Sequence, residues 1–459
     1  MSVILDIYRK LPQNFKEAAK YTLSFAPTSI RFSKEFFKQL KFLEKSQWFS
    51  GQELENYQNE QLAKLINHVY NNVSYYRRLF KAHKLVPSDI KTTKDLPKIP
   101  MLTKDKVQEN PDDFIAANYK KSDLVHITTS GTTGRVLDIY SDPKSEFLNG
   151  GPFEWRFFRW GGYNFNDLCA VFRAHFLKFS KNKRENLFQY NPYQRKVFFS
   201  IYDINEDNVK QYIDGLSKYR IKVLQGYPVP LAQLAGILEQ NSLKPVFTPK
   251  AIFTIAEMLL PSQRDKMQAY FKSKVYDWYG MEERVVVACE CREQAGHHIN
   301  SEFGVLEFIE NENSGRDCGL EIVATGFTNY AMPFIRYKTE DYGCLADKQC
   351  PCGRQLPLIK ITGARKKNFL IDKKGKAHYV IGAMDKFSDF ISSYHFVQKK
   401  DGIVDLEIVP VNFDCAFKEE SIFEDLKLRF GPNIMFNINK VREITKSKGG
   451  KIPLVSQGI

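Results

Sequence analysis

The 459-residue chain lacks any apolar run near the roughly twenty residues that a membrane-crossing helix needs. Its opening, MSVILDIYRKLPQNF, places Asp6 and basic residues where a signal peptide carries its apolar stretch, so a cytoplasmic protein is expected. Internal repeats and low-complexity tracts are absent, which excludes solenoids and charged tails. None of the common nucleic-acid modules can be read, so no nucleic-acid partner is expected. Acidic residues are in deficit, 53 against 67 Lys and Arg, and the net charge of +14 favours anionic partners. Cysteine is sparse, with eight residues at 169, 289, 291, 318, 344, 350, 352 and 415. Two tight pairs, Cys289-Glu-Cys291 and Cys350-Pro-Cys352, point to metal before disulfides in a chain of cytoplasmic character.

What is present is a large stock of core-forming residues, 36 Phe and 23 Tyr within a 43% apolar composition. Residues 1–60 read as helical, and residues 1–50 hold nine Lys and Arg against four Asp and Glu. The run SKEFFKQLKFLEKSQW sets Phe36, Phe37, Leu40, Phe42, Leu43 and Trp48 among lysines. Such a stripe either packs on the body or lies on an anionic membrane surface, so peripheral membrane contact is one expectation. Leu62–Phe80 reads as one further amphipathic helix, followed by a connector punctuated by Pro87, Pro97 and Pro100. From 151 to 290 short apolar strands alternate with helical patterns, as parallel α/β layers require. Ligands in such folds sit at the carboxyl ends of strands, here Gln225–Pro228, Ile255–Glu257 and Trp278–Glu283. Residues 299–345 alternate as antiparallel strands, and the last ninety residues read as a small module in the order strand, helix, strand, helix, strand. The expected fold class is therefore α/β, with a large domain over residues 1–363 and a small C-terminal α+β domain over 364–459.

The densest chemical signal is TTSGTTGRVLDIY, residues 128–140. Thr129, Ser130, Thr132 and Thr133 offer hydroxyls, Gly131 and Gly134 let backbone N–H groups approach an anion, and Arg135 adds charge. The spacing is not that of the ordinary P-loop. A Ser/Thr-rich surface turn is the plain alternative. VLDIY then alternates like a half-buried strand.

This loop resembles the phosphate-binding motif of the adenylate-forming enzymes, usually Ser/Thr-Ser-Gly-Thr-Thr-Gly-Lys-Pro, with Arg135 and Val136 replacing Lys and Pro. NVSYYRRLF with DLPKIPMLTK after it is similar to the N-terminal region of phenylacetate–CoA ligase and its relatives, among them adenylate-forming proteins encoded with capsular polysaccharide biosynthesis. Tyr279-Gly280-Met-Glu282-Glu283 is similar to the family's Tyr-Gly-x-Thr/Ser-Glu, with Glu282 where a hydroxyl is usual. Tyr279 would cover a purine or substrate, and Glu283 would hold Mg²⁺, a hard cation that takes oxygen ligands. RYKTED resembles Tyr-Arg-Thr-Gly-Asp, which implies that Asp341 accepts from the ribose hydroxyls, with Glu340 in place of the usual Gly. Gly363-Ala-Arg365-Lys-Lys367 is similar to the hinge motif, Lys367 falling at the pivot. KSKGGK resembles the C-terminal loop whose Lys, here Lys451, bridges the carboxylate and the α-phosphate. Ala256 and Glu257 match weaker family positions at the adenine, Tyr227 matches one at the substrate pocket, and His126 either faces the acyl group or belongs to the core.

The resemblance implies an ATP- and Mg²⁺-dependent ligase for a small carboxylate, with CoA or a sugar amine or hydroxyl as acceptor. Residue types alone supply a Cys₃His set suited to tetrahedral Zn²⁺ from Cys350, Cys352, Cys291 and a histidine. The pattern in some phenylacetate–CoA ligase-like proteins favours Cys291, His298, Cys350 and Cys352, with Cys289 and His297 as spares. Two other classes compete. Arg135, Glu282 and Glu340 keep open a non-catalytic or regulatory nucleotide-binding relative, and the basic charge keeps open a membrane-surface or nucleic-acid binder.

Overall fold

The computed structural model describes residues 28–128, 137–145, 150–173, 187–310, 319–364, 369–375, 377–380, 383, 384, 387, 390–411, 419–445 and 453–457. Near its start, Ser33 caps the helix Lys34–Ser46 by accepting the Phe36 N–H at 3.1 Å. Phe36, Leu40 and Leu43 are buried, whereas Lys34, Lys38, Lys41 and Lys45 face solvent. Phe32 and Phe36 pack on Phe165, with ring centroids 5.0 and 6.2 Å away. Phe36, Leu40 and Leu43 of the apolar stripe considered for a membrane surface are thus spent on packing within the chain, whereas Trp48 stays exposed.

Ser50 and Glu53 form a capping box at the start of the helix Gly51–Asn72. The stretch expected to be one helix over 62–80 is in fact broken at Val73, which is extended, and resumes as Ser74–Ala82. The Asn72 carbonyl bonds the Ala117 N–H at 2.8 Å, and the redirection lets Val73, Tyr76 and Phe80 all enter the core. No helix among the described residues is long and apolar enough to cross a membrane.

Among the described residues, twelve strands form one mixed sheet, with helices layered on both faces of its parallel centre. Its parallel centre runs Lys196–Phe199, Leu168–Phe172, Ile221–Gly226, Ala251–Ile255 and Val275–Gly280. Antiparallel strands extend it on one side through Val287–Glu290, His297–Ile299, Leu358–Ala364, Tyr337–Leu345, Leu320–Gly326 and Gly304–Ile309, and Phe188–Asn191 pairs antiparallel at the other edge. The central strands read as near-continuous apolar runs because both faces are covered. Leu224 and Ile252 face the helices Val209–Lys218, Pro228–Gln240 and Pro261–Phe271, while Val223 and Phe253 face the helix Gly151–Trp160. Proline opens two of these helices, at a position whose N–H has no intrahelical partner in any case.

The C-terminal residues carry their own apolar cluster, including Leu370, Phe396, Leu406, Leu426 and Phe436. The order differs from the expected alternation. Ile391–Lys400 and Ile403–Pro410 form an antiparallel hairpin, then come the helix Glu419–Phe430 and the strands Met435–Lys440 and Val455–Gln457, each strand parallel to its neighbour. The short Asp401-Gly402 turn, with Gly402 at φ 74°, explains the hairpin.

Candidate active site

Register places Phe172, Gly226, Thr254 and Asp277 in line across the parallel strands, so the residues just beyond these strand ends share one edge. They are Arg173, Tyr227, Ala256–Glu257 and Met281–Glu283. A Cβ on Gly226 would lie 2.7 Å from the Phe172 carbonyl, which is why this strand ends on glycine. Below the edge, Thr254 Oγ1 donates to Asp277 Oδ1 at 2.6 Å, tying neighbouring strands. Burial lifts the Tyr227 phenol above its ordinary value; Arg173 opposes this, while Glu257 and Glu282 add to it, so all three charges are felt at one place.

The antiparallel flank brings in the second set of residues. Tyr279 Oη donates to Asp341 Oδ2 at 2.9 Å, joining motifs 62 residues apart. Asp341 is buried, and its N–H donates to Thr339 Oγ1 at 3.1 Å. Glu283, 4% exposed, accepts from the Tyr337 hydroxyl at 3.3 Å. Arg336 anchors this flank: its Nε reaches Glu307 Oε1 and Oε2 at 3.1 and 3.0 Å, and its Nη1 donates to the Ile99 carbonyl at 2.6 Å. Around the edge, Ala256, Arg284, Arg336 and Glu340 all have left-handed backbone, with φ of 64°, 60°, 51° and 62°. Non-glycine residues held this way cluster where geometry is over-determined for function.

The glycine-rich loop at 129–136 lies outside the described residues, as do Arg365, Lys367 and Lys451. The strands on either side of the loop, Val125–Thr128 and Asp138–Ser141, pair antiparallel with Thr128 opposite Asp138, so the expected strand after the loop forms. His126 is exposed, not a core residue. Its Nε2 lies 2.7 Å from Asp138 Oδ1 and its ring stacks on Tyr140 at 4.9 Å. Asn329 holds this hairpin to the body: its Nδ2 donates to the carbonyls of Tyr140 and Met332 at 2.9 and 3.1 Å, and its Oδ1 accepts the Ala331 and Met332 N–H groups.

No family model matches the chain. Among curated proteins it is 26% identical over 427 residues to Protein CapK of Staphylococcus aureus, covering 92% of each chain. It is also 26% identical over 322 residues to the phenylacetate-coenzyme A ligase of Aromatoleum evansii, covering 68% of this chain and 71% of that one. Among solved structures, 2-hydroxyisobutyryl-CoA ligase in the postadenylation state superposes with a TM-score of 0.70 at 16% identity, covering 90% of this chain and 92% of that one, which establishes the fold. The likeness to these curated proteins, together with the shared fold, supports the adenylate-forming superfamily.

Set against that superfamily's motifs, the departures acquire structural content. Glu340 stands where glycine is usual and retains the left-handed backbone that glycine would adopt without strain. Glu282, in place of a hydroxyl residue, is exposed, so its charge stays hydrated. Sequence reasoning missed Tyr337, the Glu283 partner, and Asn329. The Asn-Tyr-Ala-Met-Pro run was the available signal, since asparagine before a proline-bearing stretch commonly bonds its own turn.

The cysteine–histidine set also assembles. Ligating atoms of Cys291, His298, Cys350 and Cys352 all lie within 4.8 Å of one another, with Cys291 Sγ 3.5 Å from Cys350 Sγ and Cys352 Sγ 3.4 Å from His298 Nε2. Atoms around a tetrahedral zinc are about 3.5–3.8 Å apart, so the donors fit the ion. His298 Nδ1 lies 3.3 Å from the Leu356 carbonyl, and burial pushes the imidazole down to about 4, towards the neutral form that ligates. Burial raises Cys291 to about 12; it also acts against Cys352, yet the backbone and side chain of Arg354 hold that thiol below its usual value. His297 faces away from His298 because side chains alternate along a strand, whereas Cys289, opposite His298 in register, is engaged by Asn300. His297 Nε2 lies 2.9 Å from Asp277 Oδ2, and Cys289 Sγ accepts from Asn300 Nδ2 at 3.4 Å. Arg354, beside the Cys350–Cys352 turn, stacks between Trp48 and Trp160, 5.0 and 4.3 Å from the ring centroids. Its Nε donates to Gln47 Oε1 at 2.8 Å, linking the knuckle to the end of the helix Lys34–Ser46.

Proposed function

We propose that the chain is an ATP-dependent ligase that activates a small carboxylate as its acyl-adenylate. The acyl group then passes to coenzyme A or to a sugar amine or hydroxyl, in surface polysaccharide assembly. The observation that carries this reading is the 2.9 Å Tyr279–Asp341 contact beside buried Glu283, at the carboxyl edge of the parallel strands. Asp341 would accept from the ribose hydroxyls, and Tyr279 and Gly280, with Ala256, Glu257 and Glu282, would border the base and phosphates. Thr129, Ser130, Gly131, Thr132, Thr133, Gly134 and Arg135 would grip the triphosphate. Mg²⁺ held by Glu283 would neutralise phosphate charge.

In the first step a carboxylate oxygen attacks the α-phosphorus, the α–β P–O bond breaks, and pyrophosphate leaves with the electron pair. Lys451 would stabilise the charge developing between carboxylate and α-phosphate. Residues 364–459 would then turn about Arg365 and Lys367 as a lid over residues 1–363. In the second step the acceptor attacks the acyl carbonyl and AMP departs. The knuckle of Cys291, His298, Cys350 and Cys352 would hold a structural Zn²⁺, a closed four-ligand site without an open position for chemistry. Likeness to the capsule-associated branch supports the polysaccharide setting. ATP–pyrophosphate exchange with a panel of carboxylates tests the activity. Acid-dependent exchange is expected, and its loss in Lys451→Ala assigns the adenylation residue; exchange equal in both proteins removes Lys451 from that role.

A further inference from the structure

Gln225 ends the strand Ile221–Gly226 one residue before the edge glycine and is wholly buried. It lies in register with Val171 and Phe253, on the sheet face covered by the helix Gly151–Trp160. Its Nε2 donates to Glu154 Oε1 at a long 3.4 Å. A carboxylate accepts and does not donate, so the carboxamide must turn its NH₂ towards Glu154. That orientation leaves Gln225 Oε1 buried without a hydrogen-bond partner. The surroundings offer no relief: Phe157 packs on Phe253 and Trp278 at 5.1 and 5.4 Å. A second unmet polar atom, Arg173 Nε, sits just past the neighbouring strand end, where the Phe172 carbonyl accepts the Tyr227 N–H at 3.1 Å.

A buried acceptor with no donor destabilises the protein that carries it, and leucine or methionine would fill this position without that penalty. Glu154, half-buried on the helix, is a second acceptor beside it. We infer that Gln225 and Glu154 form an acceptor pair that reads a hydrogen-bond donor on the acyl group, so the activated acid bears a hydroxyl or amino group rather than a plain hydrocarbon chain. This rests on the adenylating reading above. A site built to bond a substrate donor rejects the analogue lacking it far more strongly than an apolar site rejects an added group, because its own polar atoms are left unpaired.

The test is ATP–pyrophosphate exchange by the full-length protein on matched acids. These are propanoate with its 2-hydroxy and 2-amino forms, butanoate with its 3-hydroxy and 3-amino forms, and phenylacetate with its 4-hydroxy and 4-amino forms. In at least one series a donor-bearing acid should exceed its unsubstituted parent by tenfold or more in kcat/KM. Gln225→Leu should reduce that preference below threefold while exchange with the parent acid holds or rises, and Gln225→Met serves if the leucine variant does not fold. Glu154→Gln should weaken the amino acids more than the hydroxy acids. Parent acids equal to or better than their derivatives in every active series would overturn the inference and leave the ligase reading standing. A preference that persists in the folded Gln225 variants would do the same. Exchange with no acid at all would overturn the ligase reading and this inference together.

Discussion

The carboxyl edge and the cysteine–histidine knuckle lie on the same sheet and are built in opposite ways. The edge draws single residues from many strand ends, keeps four non-glycine residues in left-handed backbone, and leaves Gln225 Oε1 unmet. The knuckle draws its four candidate ligands from the strand His297–Ile299 and from the turns at Cys291 and Cys350–Cys352, surrounds them with Trp160, Leu358 and Arg354, and is tied to Gln47. One region leaves a buried polar atom unmet at a strand end; the other closes upon itself. Chemistry is therefore expected at the first and cohesion at the second.

Substitutions that separate activity from stability sharpen this contrast. The largest effect is expected for Lys451→Ala, which should lower exchange by about 10²–10³-fold, or about 3–4 kcal/mol in the transition state, with an unchanged melting temperature. A large fall in melting temperature would erase the distinction from the other side. Cys291→Ala should do the reverse. Elemental analysis should show its zinc lost, and denaturant unfolding should show stability lower by on the order of 3 kcal/mol, as removal of a tightly held ligand implies. Equal, negligible zinc in wild type and variant would leave the knuckle as buried thiols. Arg354→Ala removes a hydrogen bond and two ring contacts, and should cost about 1–2 kcal/mol while the KM for ATP stays constant. The smallest change is Glu340→Gly, which relieves the left-handed residue at φ 62° and should stabilise the protein by about 1 kcal/mol. Destabilisation instead would mean that the Glu340 side chain compensates for its backbone.

Much of the edge was legible because its residues fall in short runs that keep both spacing and chemistry. Tyr279 to Glu283 and Asp341 could be picked out one motif at a time, and their contact at 2.9 Å joins what the sequence keeps apart. The three cysteines and a neighbouring histidine were legible for the same reason, and the resemblance, not the residue types, favoured His298 over His297. Arg156 was not. It is 1% exposed, pairs with Glu302 at 2.7 Å and bonds the Leu43 carbonyl, but in sequence it is one basic residue in an aromatic helix. A buried ion pair has partners 146 residues apart and no local period to betray it. The C-terminal order was misread for a related reason: two strands either side of a short turn read alike whether or not a helix is expected between them.

Local pattern, by itself, determined the α/β class and offered three cysteines with a histidine as a candidate metal set, because hydrophobic period and residue chemistry are properties of neighbours in the chain. Tertiary structure alone decided which histidine of the pair turns to the cysteines and which to Asp277, and that Val73 breaks a helix. It alone left Gln225 with an acceptor unmet. Each of these depends on which side of a strand faces which neighbour, and that is settled only when distant segments pack.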